Sequence, residues 1–211
     1  MAERTLTDRL FSDDGDRSVV DPFALFEDWF ALARETEPND PHAMALASVD
    51  PDGLPDVRMV LLNARDERGF CFFTNFESEK GRQLLARPAA AFVMHWKSQR
   101  RQVRVRGPVE EVSTAEADAY FATRHRNSQL GAHASDQSRP LERREVLADR
   151  VARLEASLEG SPVPRPPHWS GFRIVPVQIE FWKDGEFRLH DRVRFTRPAP
   201  GAPWEALRLF P

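Results

Sequence analysis

The chain has 211 residues, of which 41% are hydrophobic and 30% are charged, and its formal net charge is −3. A chain of this length can bury a hydrophobic core and predicts one domain, while its mildly acidic balance argues against a general nucleic-acid binder. No apolar run approaches the roughly 18 residues of a membrane span, and one cysteine with six scattered histidines offers neither a disulfide nor zinc spacing, so we expect a cytoplasmic protein without a metal site.

The N-terminal part of the chain predicts a flexible segment followed by a capped helix. Residues 1–20 are rich in charge and lack an apolar core, so we expect a flexible N-terminal segment there and a single domain over 21–211. Asp21-Pro22 supplies an N-cap and a proline at the first helical position, and Phe26, Trp29 and Phe30 follow at helical spacing. We expect this aromatic stripe to pack on the core.

Strand signals then dominate the chain. Strands are predicted over 44–49, 57–62 and 70–74, which we expect to form an antiparallel meander, and over 91–96 and 102–112. Helices are predicted from about Ser78 to Ala86, from Ser113 towards Arg124, and between Leu141 and Leu158. After a proline-rich connector, further strands are expected over 172–182, 187–195 and 204–209. Many antiparallel strands with inserted helices favour a mainly β barrel with flanking helices over a doubly wound sheet.

A basic stripe is predicted on the strand over 187–195. Strict alternation there puts Arg188, His190, Arg192 and Arg194 on one face, with successive side chains roughly 7 Å apart. Such a stripe can bind an anion, and it can equally be a solvated outer face whose aromatic neighbours are turned inward. The pattern alone leaves both interpretations open.

Two further constellations could hold phosphate. Tyr120, Arg124 and Ser128 recur every four residues and share one face if a helix continues through them, although a capped helix end with solvated arginines explains the spacing about as well. The other constellation is a buried-looking strand over 58–62, entered by an arginine. The chain has only 10 glycines and no glycine-rich phosphate loop, so any phosphate must be held by side chains, for which the planar fork of arginine is well suited.

Spaced matches along the chain resemble the pyridoxamine 5'-phosphate oxidase family, from about Asp21 to Pro211. In the N-terminal half the matches are the strand from Arg58 to Leu62, Phe72-Phe73-Thr74-Asn75, and Arg101-Gln102-Val103-Arg104. In the C-terminal half they are Ser128-Gln129-Leu130-Gly131-Ala132, Ser135-Asp136-Gln137-Ser138, Glu180-Phe181-Trp182, Arg188-Leu189-His190-Asp191-Arg192, and Arg208-Leu209-Phe210-Pro211. So many matches in one order make the resemblance specific.

The resemblance implies an FMN-binding split β-barrel of antiparallel Greek-key type that forms a homodimer with FMN at the subunit interface. It implies cofactor-binding roles for Arg58, Met59, Val60, Leu61, Leu62, Phe73, Thr74, Lys80, Gln102, Gln137, Ser138, Trp182 and Arg192. It implies that Tyr120, Arg124 and Ser128 hold the substrate phosphate, with Asn63 at a further substrate-binding position. It also implies that Arg188 and His190 are catalytic and lie against the pyridine ring of the substrate and its reacting side.

The implied reaction is FMN-dependent oxidation of pyridoxamine or pyridoxine 5'-phosphate to pyridoxal 5'-phosphate, with O2 as electron acceptor giving H2O2. Three positions depart from the family pattern: Asn63 stands where a phosphate-binding lysine is usual, Glu79 stands beside Lys80 where an arginine is frequent, and His125 replaces a proline after Arg124. Asn63 motivates an alternative, a related FMN oxidase of the same barrel acting on another ring substrate such as a phenazine precursor. A non-catalytic flavin or nucleic-acid binding barrel is a third hypothesis, and the net charge of −3 weighs against nucleic acid.

Overall fold

The structure is a computed structural model that describes residues 5–13 and 15–211. Within these residues the strands are β1 Ala43–Val49, β2 Pro55–Leu61, β3 Ala64–Asp66, β4 Gly69–Asn75, β5 Ala89–Trp96, β6 Arg101–Glu111, β7 Trp169–Ile174, β8 Gln178–Lys183, β9 Asp191–Thr196 and β10 Glu205–Leu209. The helices are α1 Leu6–Phe11, α2 Pro22–Thr36, α3 Glu79–Ala86, α4 Thr114–Thr123, α5 Arg126–Ala134 and α6 Arg144–Ser157, with 3-10 turns at Arg17–Val19 and Glu186–Arg188. The predicted mainly β fold with flanking helices is confirmed.

The long strand β6 organises the sheet. All strand pairs are antiparallel, and the main path runs β10-β9-β8-β6-β5-β1-β2. The first half of β6 pairs with β8, whereas its last residues pair with β7, which continues through β4 to β3. Gly107 lies where β6 changes partner, and a side chain there would collide with the Val175 carbonyl. The sheet therefore curls around β6 into an open half-barrel.

Helix α2 fills the concave side of this half-barrel. The Asp21 side chain caps the helix by accepting from the Phe23 amide at 2.9 Å. The predicted aromatic stripe is buried as expected: the Phe26 ring lies 4.9 Å from Phe70 of β4, and Trp29 lies 5.1 Å from Phe181 of β8. Burying these large rings removes several hundred square ångströms of apolar surface from water, which makes the helix a central part of the core.

The N-terminal residues pack on the domain. Helix α1 begins with a capping box between Thr5 and Asp8, and Leu10 and Phe11 are buried. The indole Nε1 of Trp29 donates to Thr7 Oγ1 at 2.9 Å. Leu10, Phe11 and Val20 thus belong to the core cluster, while the flexibility expected over 1–20 stays a prediction. Residues 1–4 and 14 of that expected segment lie outside the described residues.

Three sequence-based strand predictions need correction. The predicted meander is wrong beyond its first hairpin, because β4 pairs with β3 and with the distant β7 while β2 pairs with β1. The strand over 172–182 is two strands, β7 and β8, separated by a break over 175–177. The buried-looking strand β2 is an edge strand whose alternate side chains are exposed, with Val57 and Met59 each 64% exposed in the single chain.

The predicted strand over 187–195 begins only at Asp191. Phe187 and Arg188 adopt left-handed backbone conformations, with φ of 53° and 64°, and form a 3-10 turn in place of extended chain. Phe187 is 90% exposed and not turned inward. The alternation that placed Arg188 and His190 in one stripe with Arg192 is therefore wrong, because both residues precede the strand.

Two negative findings apply to the described residues. None of their helices is long and apolar enough to cross a membrane. None of their histidine, cysteine, aspartate and glutamate side chains form a group of three or more that could hold a metal ion.

Candidate active site

A cavity of about 680 Å³ opens between strands β2 and β4 and the corner formed by α4 and α5. It brings together four of the six predicted substrate-binding residues, Asn63, Tyr120, Arg124 and Ser128, but not Arg188 or His190. It also brings together seven of the predicted cofactor-binding residues, Met59, Val60, Leu61, Phe73, Thr74, Lys80 and Gln137. Cavities of roughly 300–1,000 Å³ with convergent polar groups are typical of small-molecule sites.

The corner between α4 and α5 positions the phosphate-binding candidates. Helix α4 runs towards Arg124 as predicted and ends at Thr123; Arg124 follows with an extended backbone, ψ 146°, so one helix does not continue through the three residues. Helix α5 then begins at Arg126, and the His125 ring nitrogen accepts from the Asn127 amide at 3.3 Å. Tyr120 on α4 and Ser128 on α5 nevertheless face the same cavity as Arg124. They meet because the chain turns at Arg124, and the four-residue spacing along one helix is not the cause.

Arg124 has a buried donor that no residue in the described part of the chain satisfies. Its guanidinium carbon lies 4.7 Å from the centroid of the Trp169 ring, a cation–π contact. Its Nη1 is buried and makes no hydrogen bond to any described residue. Burial lowers the pKa of Arg124 below its ordinary value, although an arginine keeps its charge at neutral pH. A buried guanidinium nitrogen with an unused donor fits an anion bound in the cavity.

An aromatic wall lies beside this arginine. The rings of Phe73 and Tyr120 stack with centroids 4.1 Å apart and planes 11° apart, and the nearly parallel Trp169 ring lies 5.4 Å from Phe73 and 6.2 Å from Tyr120. Burial raises the pKa of Tyr120, and the nearby positive charge of Arg124 opposes that rise. Because the three rings hold one another, the wall is a rigid surface in the cavity.

Lys80 marks a second cationic position in the cavity. It lies in the first turn of α3, where Ser78 caps the helix by accepting from the Gly81 amide at 3.2 Å. Within residues 5–13 and 15–211, the hydrogen-bond contacts of Lys80 Nζ are all long, 3.4 Å each, to Thr74 Oγ1, Ser78 Oγ and Gln137 Oε1. Burial lowers the pKa of Lys80, and the positive charge of Arg58 lowers it further. Because its contacts are long, the Lys80 ammonium can donate to an anionic ligand that approaches more closely. The cavity therefore has two cationic groups that could bind an anion, Arg124 and Lys80.

Three other predicted cofactor residues lie close by but do not line the cavity. Arg58 is held by neighbouring side chains, donating to Ser48 Oγ at 2.5 Å and Gln83 Oε1 at 3.0 Å and pairing with Asp56. Leu62 is buried in the core. Ser138 is exposed and has a left-handed backbone, φ 71°, directly after Gln137.

The remaining predicted residues form a second group on the outer face of β6, β8 and β9. Gln102 pairs in register with Trp182, and Trp182 pairs with Arg192. The Trp182 ring lies 4.7 Å from the His190 ring. His190 borders a smaller cavity of about 350 Å³ formed with Arg208 and the C-terminal residues, and Arg188 is exposed. None of this second group lines the larger cavity, so one chain divides the predicted site into two parts.

The His190 ring is oriented by its own loop. Its Nδ1 lies 3.0 Å from Asp184 Oδ1, to which a protonated Nδ1 donates, and 3.2 Å from the Gly185 amide nitrogen. Asp184 is in turn paired with Arg100. With Nδ1 engaged, the other ring nitrogen is left to face a ligand.

Several cavity residues were missed by the sequence-based prediction. They include Trp169, Asn75, His125 and Ser135. Trp169 faces Asn75 across β4 and β7, strands that are far apart in the chain. A period-2 pattern identifies each strand but does not identify its partner, so nothing in the sequence pattern linked this tryptophan to the site.

Two regions of the chain match models of one protein family. Residues 33–158 match the family model described as pyridoxamine 5'-phosphate oxidase. Residues 169–211 match the model described as the pyridoxine 5'-phosphate oxidase C-terminal dimerisation region.

Two relatives and two solved structures are similar to the chain over most of its length. The pyridoxine/pyridoxamine 5'-phosphate oxidase of Azorhizobium caulinodans is 64% identical over 198 residues, which cover 93% of each chain. The protein of the same name from Brucella canis is 61% identical over 95% of this chain and 98% of its own. Among solved structures, PhzG from Burkholderia lata, in complex with tetrahydrophenazine-1-carboxylic acid, has 31% identity and a TM-score of 0.85 over 95% of this chain and all of its own. A pyridoxamine 5'-phosphate oxidase-related, FMN-binding protein from Nostoc punctiforme shares the fold, with 17% identity and a TM-score of 0.73 over 90% of this chain and 98% of its own.

Proposed function

Because the chain belongs to the pyridoxamine 5'-phosphate oxidase family and is an FMN-dependent oxidoreductase, we propose that it oxidises pyridoxine or pyridoxamine 5'-phosphate to pyridoxal 5'-phosphate in vitamin B6 metabolism, with O2 as electron acceptor giving H2O2. The observation that carries this proposal is the buried Nη1 of Arg124, which has no hydrogen-bond partner among the described residues, in a cavity that also holds Tyr120 and Ser128. A phosphate ester would satisfy that donor.

The substrate phosphate is proposed to bind at the corner between α4 and α5. Arg124 would supply charge and a planar pair of donors, while Tyr120 and Ser128 would each supply a hydroxyl. The cation–π contact with Trp169 fixes the guanidinium plane, so little side-chain entropy is lost when an anion binds. These three groups would orient the pyridine ring by its phosphate arm, remote from the reacting carbon.

FMN is proposed to bind at the Lys80 end of the cavity. Lys80, Thr74 and Gln137 already approach one another there and fit a flavin phosphate group. The remaining cofactor contacts proposed from this side are with Arg58, Met59, Val60, Leu61, Leu62, Phe73 and Ser138. When held by these residues, FMN would supply the hydride-accepting chemistry needed for oxidation at C4' of the substrate. The chain's own contribution is to orient the substrate and to place cations where negative charge develops.

The second group of predicted residues is proposed to serve the site of a partner subunit. Gln102, Trp182 and Arg192 would complete the partner's FMN site, and Arg188 and His190 would reach its substrate. This accounts for the division of the predicted site into two parts that do not line one cavity. The presence of the family's C-terminal dimerisation region supports a homodimer.

The exposed face of the sheet also supports dimerisation. Met59 is directly opposite Ala45, which in turn pairs with Val93, so an apolar row crosses β2, β1 and β5. Met59 and Val57 on this face are each 64% exposed. The single chain exposes 12406 Å², whereas a compact monomer of its mass would expose about 10,000 Å². A second copy covering this face would bury the apolar row.

The proposed reaction is tested by the visible spectrum and by turnover. The purified protein is expected to be yellow and to consume O2 while converting pyridoxine 5'-phosphate to the aldehyde. Unphosphorylated pyridoxine is the matched control, since it lacks the group for which Arg124 is proposed. A protein that binds FMN but leaves pyridoxine 5'-phosphate unchanged would refute the proposed substrate.

A second candidate is oxidation of a phenazine precursor on the same barrel. It is favoured by the similarity to PhzG and by Asn63, which removes a cation from the phosphate position. The higher identity to relatives named pyridoxine/pyridoxamine 5'-phosphate oxidase weighs against it. Parallel turnover assays with pyridoxine 5'-phosphate and tetrahydrophenazine-1-carboxylic acid would separate the two candidates.

Two further assignments complete the proposal. The residues from 21 to 211 are proposed to form a single FMN-binding split-barrel oxidase domain, onto which α1 packs. The cytoplasm is the proposed compartment, which fractionation of cells would test.

A further inference from the structure

The side chain of Asn63 bridges the backbone of β4 and the phenol of Tyr120. Its Oδ1 accepts from the Phe73 amide at 3.2 Å, and its Nδ2 donates to Tyr120 Oη at 2.6 Å. The Asn63 backbone is fixed as well, because its amide donates to the Cys71 carbonyl at 2.9 Å. The Phe73 amide can only donate, so the amide oxygen must face it and the NH2 group must face Tyr120.

This orientation determines where the phenolic hydrogen points. The Tyr120 oxygen accepts from Asn63, so its own hydrogen cannot lie along that contact. Tyr120 Oη has no second hydrogen-bond partner in the part of the chain that the structure describes, and its ring lines the cavity. Stacking on Phe73 already fixes the ring plane, so the direction of the O–H bond is the remaining freedom.

We propose that Asn63 is a positioning residue that acts through Tyr120: it directs the tyrosine hydroxyl into the cavity as a donor to the substrate's phosphate oxygen. This inference rests on the proposed function and deepens it. It gives the phosphate site an uncharged side chain that acts through Tyr120, at the position where the family pattern has a lysine. Asn63 then contributes by orienting a donor and not by contacting the anion.

A double-mutant cycle separates an indirect role from a direct one. The dissociation constant for inorganic phosphate is measured on the FMN-loaded enzyme, by 31P line broadening, for wild type, Asn63→Ala, Tyr120→Phe and the double variant. Asn63→Ala alone is expected to weaken phosphate binding roughly 5- to 20-fold, the worth of one oriented hydrogen bond to an anion. In the Tyr120→Phe background, Asn63→Ala is expected to change the dissociation constant for phosphate by less than about 2-fold.

The chain's only tyrosine gives an independent spectroscopic readout. Labelling with [13Cζ]tyrosine yields one resonance, from Tyr120, whose pH titration reports the phenol directly. Asn63→Ala is expected to raise the pKa of Tyr120, because the amide donor that stabilises the phenolate is lost. A role of Asn63 in folding alone would leave that titration unchanged in the folded variant.

The two readouts decide the proposal together. If Asn63→Ala weakens phosphate binding equally with and without the Tyr120 hydroxyl, Asn63 contacts the anion itself and the proposal is overturned. An unchanged Tyr120 titration would overturn it as well. Because neither measurement requires turnover, a wild-type enzyme that fails to oxidise pyridoxine 5'-phosphate would remove the proposed function while leaving this comparison interpretable.

Discussion

Glu180 holds Arg192 by a two-point contact on the outer face of the sheet. One carboxylate oxygen, Oε1, accepts from Arg192 Nη2 at 2.8 Å and from Nε at 3.0 Å, and Glu180 is only 3% exposed. Arg104 approaches the same oxygen at 3.7 Å. The buried carboxylate therefore fixes an arginine that we assign to the partner's FMN site, and it offsets part of the positive charge there.

Glu180→Gln is expected to weaken FMN binding about 10-fold and to lower the free energy of unfolding by about 1–3 kcal/mol, since a charge-assisted contact to a nearly buried group is lost. FMN fluorescence titration and urea unfolding of the apoprotein measure the two effects. Glu205→Gln, at an exposed position of β10, is the matched control. Equal FMN affinity in both variants would contradict the assigned role of Arg192.

The proposed sharing of sites between subunits predicts complementation. Arg124→Ala and His190→Ala are each expected to be nearly inactive as homodimers. Co-expression gives heterodimers in which one of the two sites has both wild-type residues, if each site takes Arg124 from one subunit and His190 from the other. Random pairing would then restore about a quarter of wild-type activity, because about half the dimers are mixed and each has one intact site.

Differently tagged subunits allow the mixed dimer to be purified and assayed alone. If Arg124 and His190 served a site within the same chain, no site in the mixed dimer would be intact. A purified heterodimer without activity, but with normal FMN content, would therefore refute the shared site.

Arg124→Lys is expected to lower kcat/KM for pyridoxine 5'-phosphate about 10- to 100-fold. Lysine keeps the charge but loses the planar fork and the stacking on Trp169, which lies 4.7 Å from the guanidinium carbon. Turnover of unphosphorylated pyridoxine should change little. The ratio of the kcat/KM values for the two substrates then measures the loss that is specific to the phosphate group. Arg143→Lys, an exposed substitution on the surface, is the control. An equal loss with both substrates would argue that Arg124 supports the fold of the corner rather than the phosphate.

The sequence predicts the local elements of this protein better than their pairing. Val103 and Val105 alternate with polar residues along β6, and both are buried as the period-2 pattern requires. The same pattern failed over 187–190, because two consecutive left-handed residues, Phe187 and Arg188, divert the chain before β9 begins. Alternation carries no information about backbone torsions that most residues avoid.

The candidate site was predicted mainly through resemblance, and its geometry was not. Tyr120, Arg124 and Ser128 do line one cavity, but a helix corner and not a continuous helix brings them there. Trp169 was missed since it enters the site through the pairing of β7 with β4, a contact between distant parts of the chain. The apolar sequence of β2 predicts a buried strand, but one face of β2 is exposed in the single chain. A second copy covering that face would reconcile the prediction with the structure.

Glu116 takes part in the capping box of α4 and also pairs with the buried Arg173. We expect these contacts to make a pH-dependent contribution to stability. The Glu116 carboxylate accepts from the Ser113 amide at 2.9 Å and from Arg173 Nη2 at 2.6 Å, and the Arg173 side chain is only 5% exposed. The Ser113 backbone hydrogen bond, followed by the bond from Arg173, lowers the pKa of Glu116 from 4.5 to about 2. The folded state therefore binds this proton more weakly than the unfolded state does.

The sign of the effect follows from that difference. The contribution of the Glu116 carboxylate is fully present above the unfolded pKa of 4.5 and is lost as the pH falls towards about 2. With solvent screening of the partly exposed carboxylate, Glu116→Gln is expected to lower the free energy of unfolding by about 1–2 kcal/mol at pH 7. The difference in the free energy of unfolding between wild type and Glu116→Gln should narrow as the pH falls from 4.5 to 2, as measured by urea unfolding at each pH. The control variant Glu159→Gln, at an exposed position, should have the stability of wild type at every pH. A gap that stays constant over this range would show that the glutamine loses packing or capping geometry and not the charge.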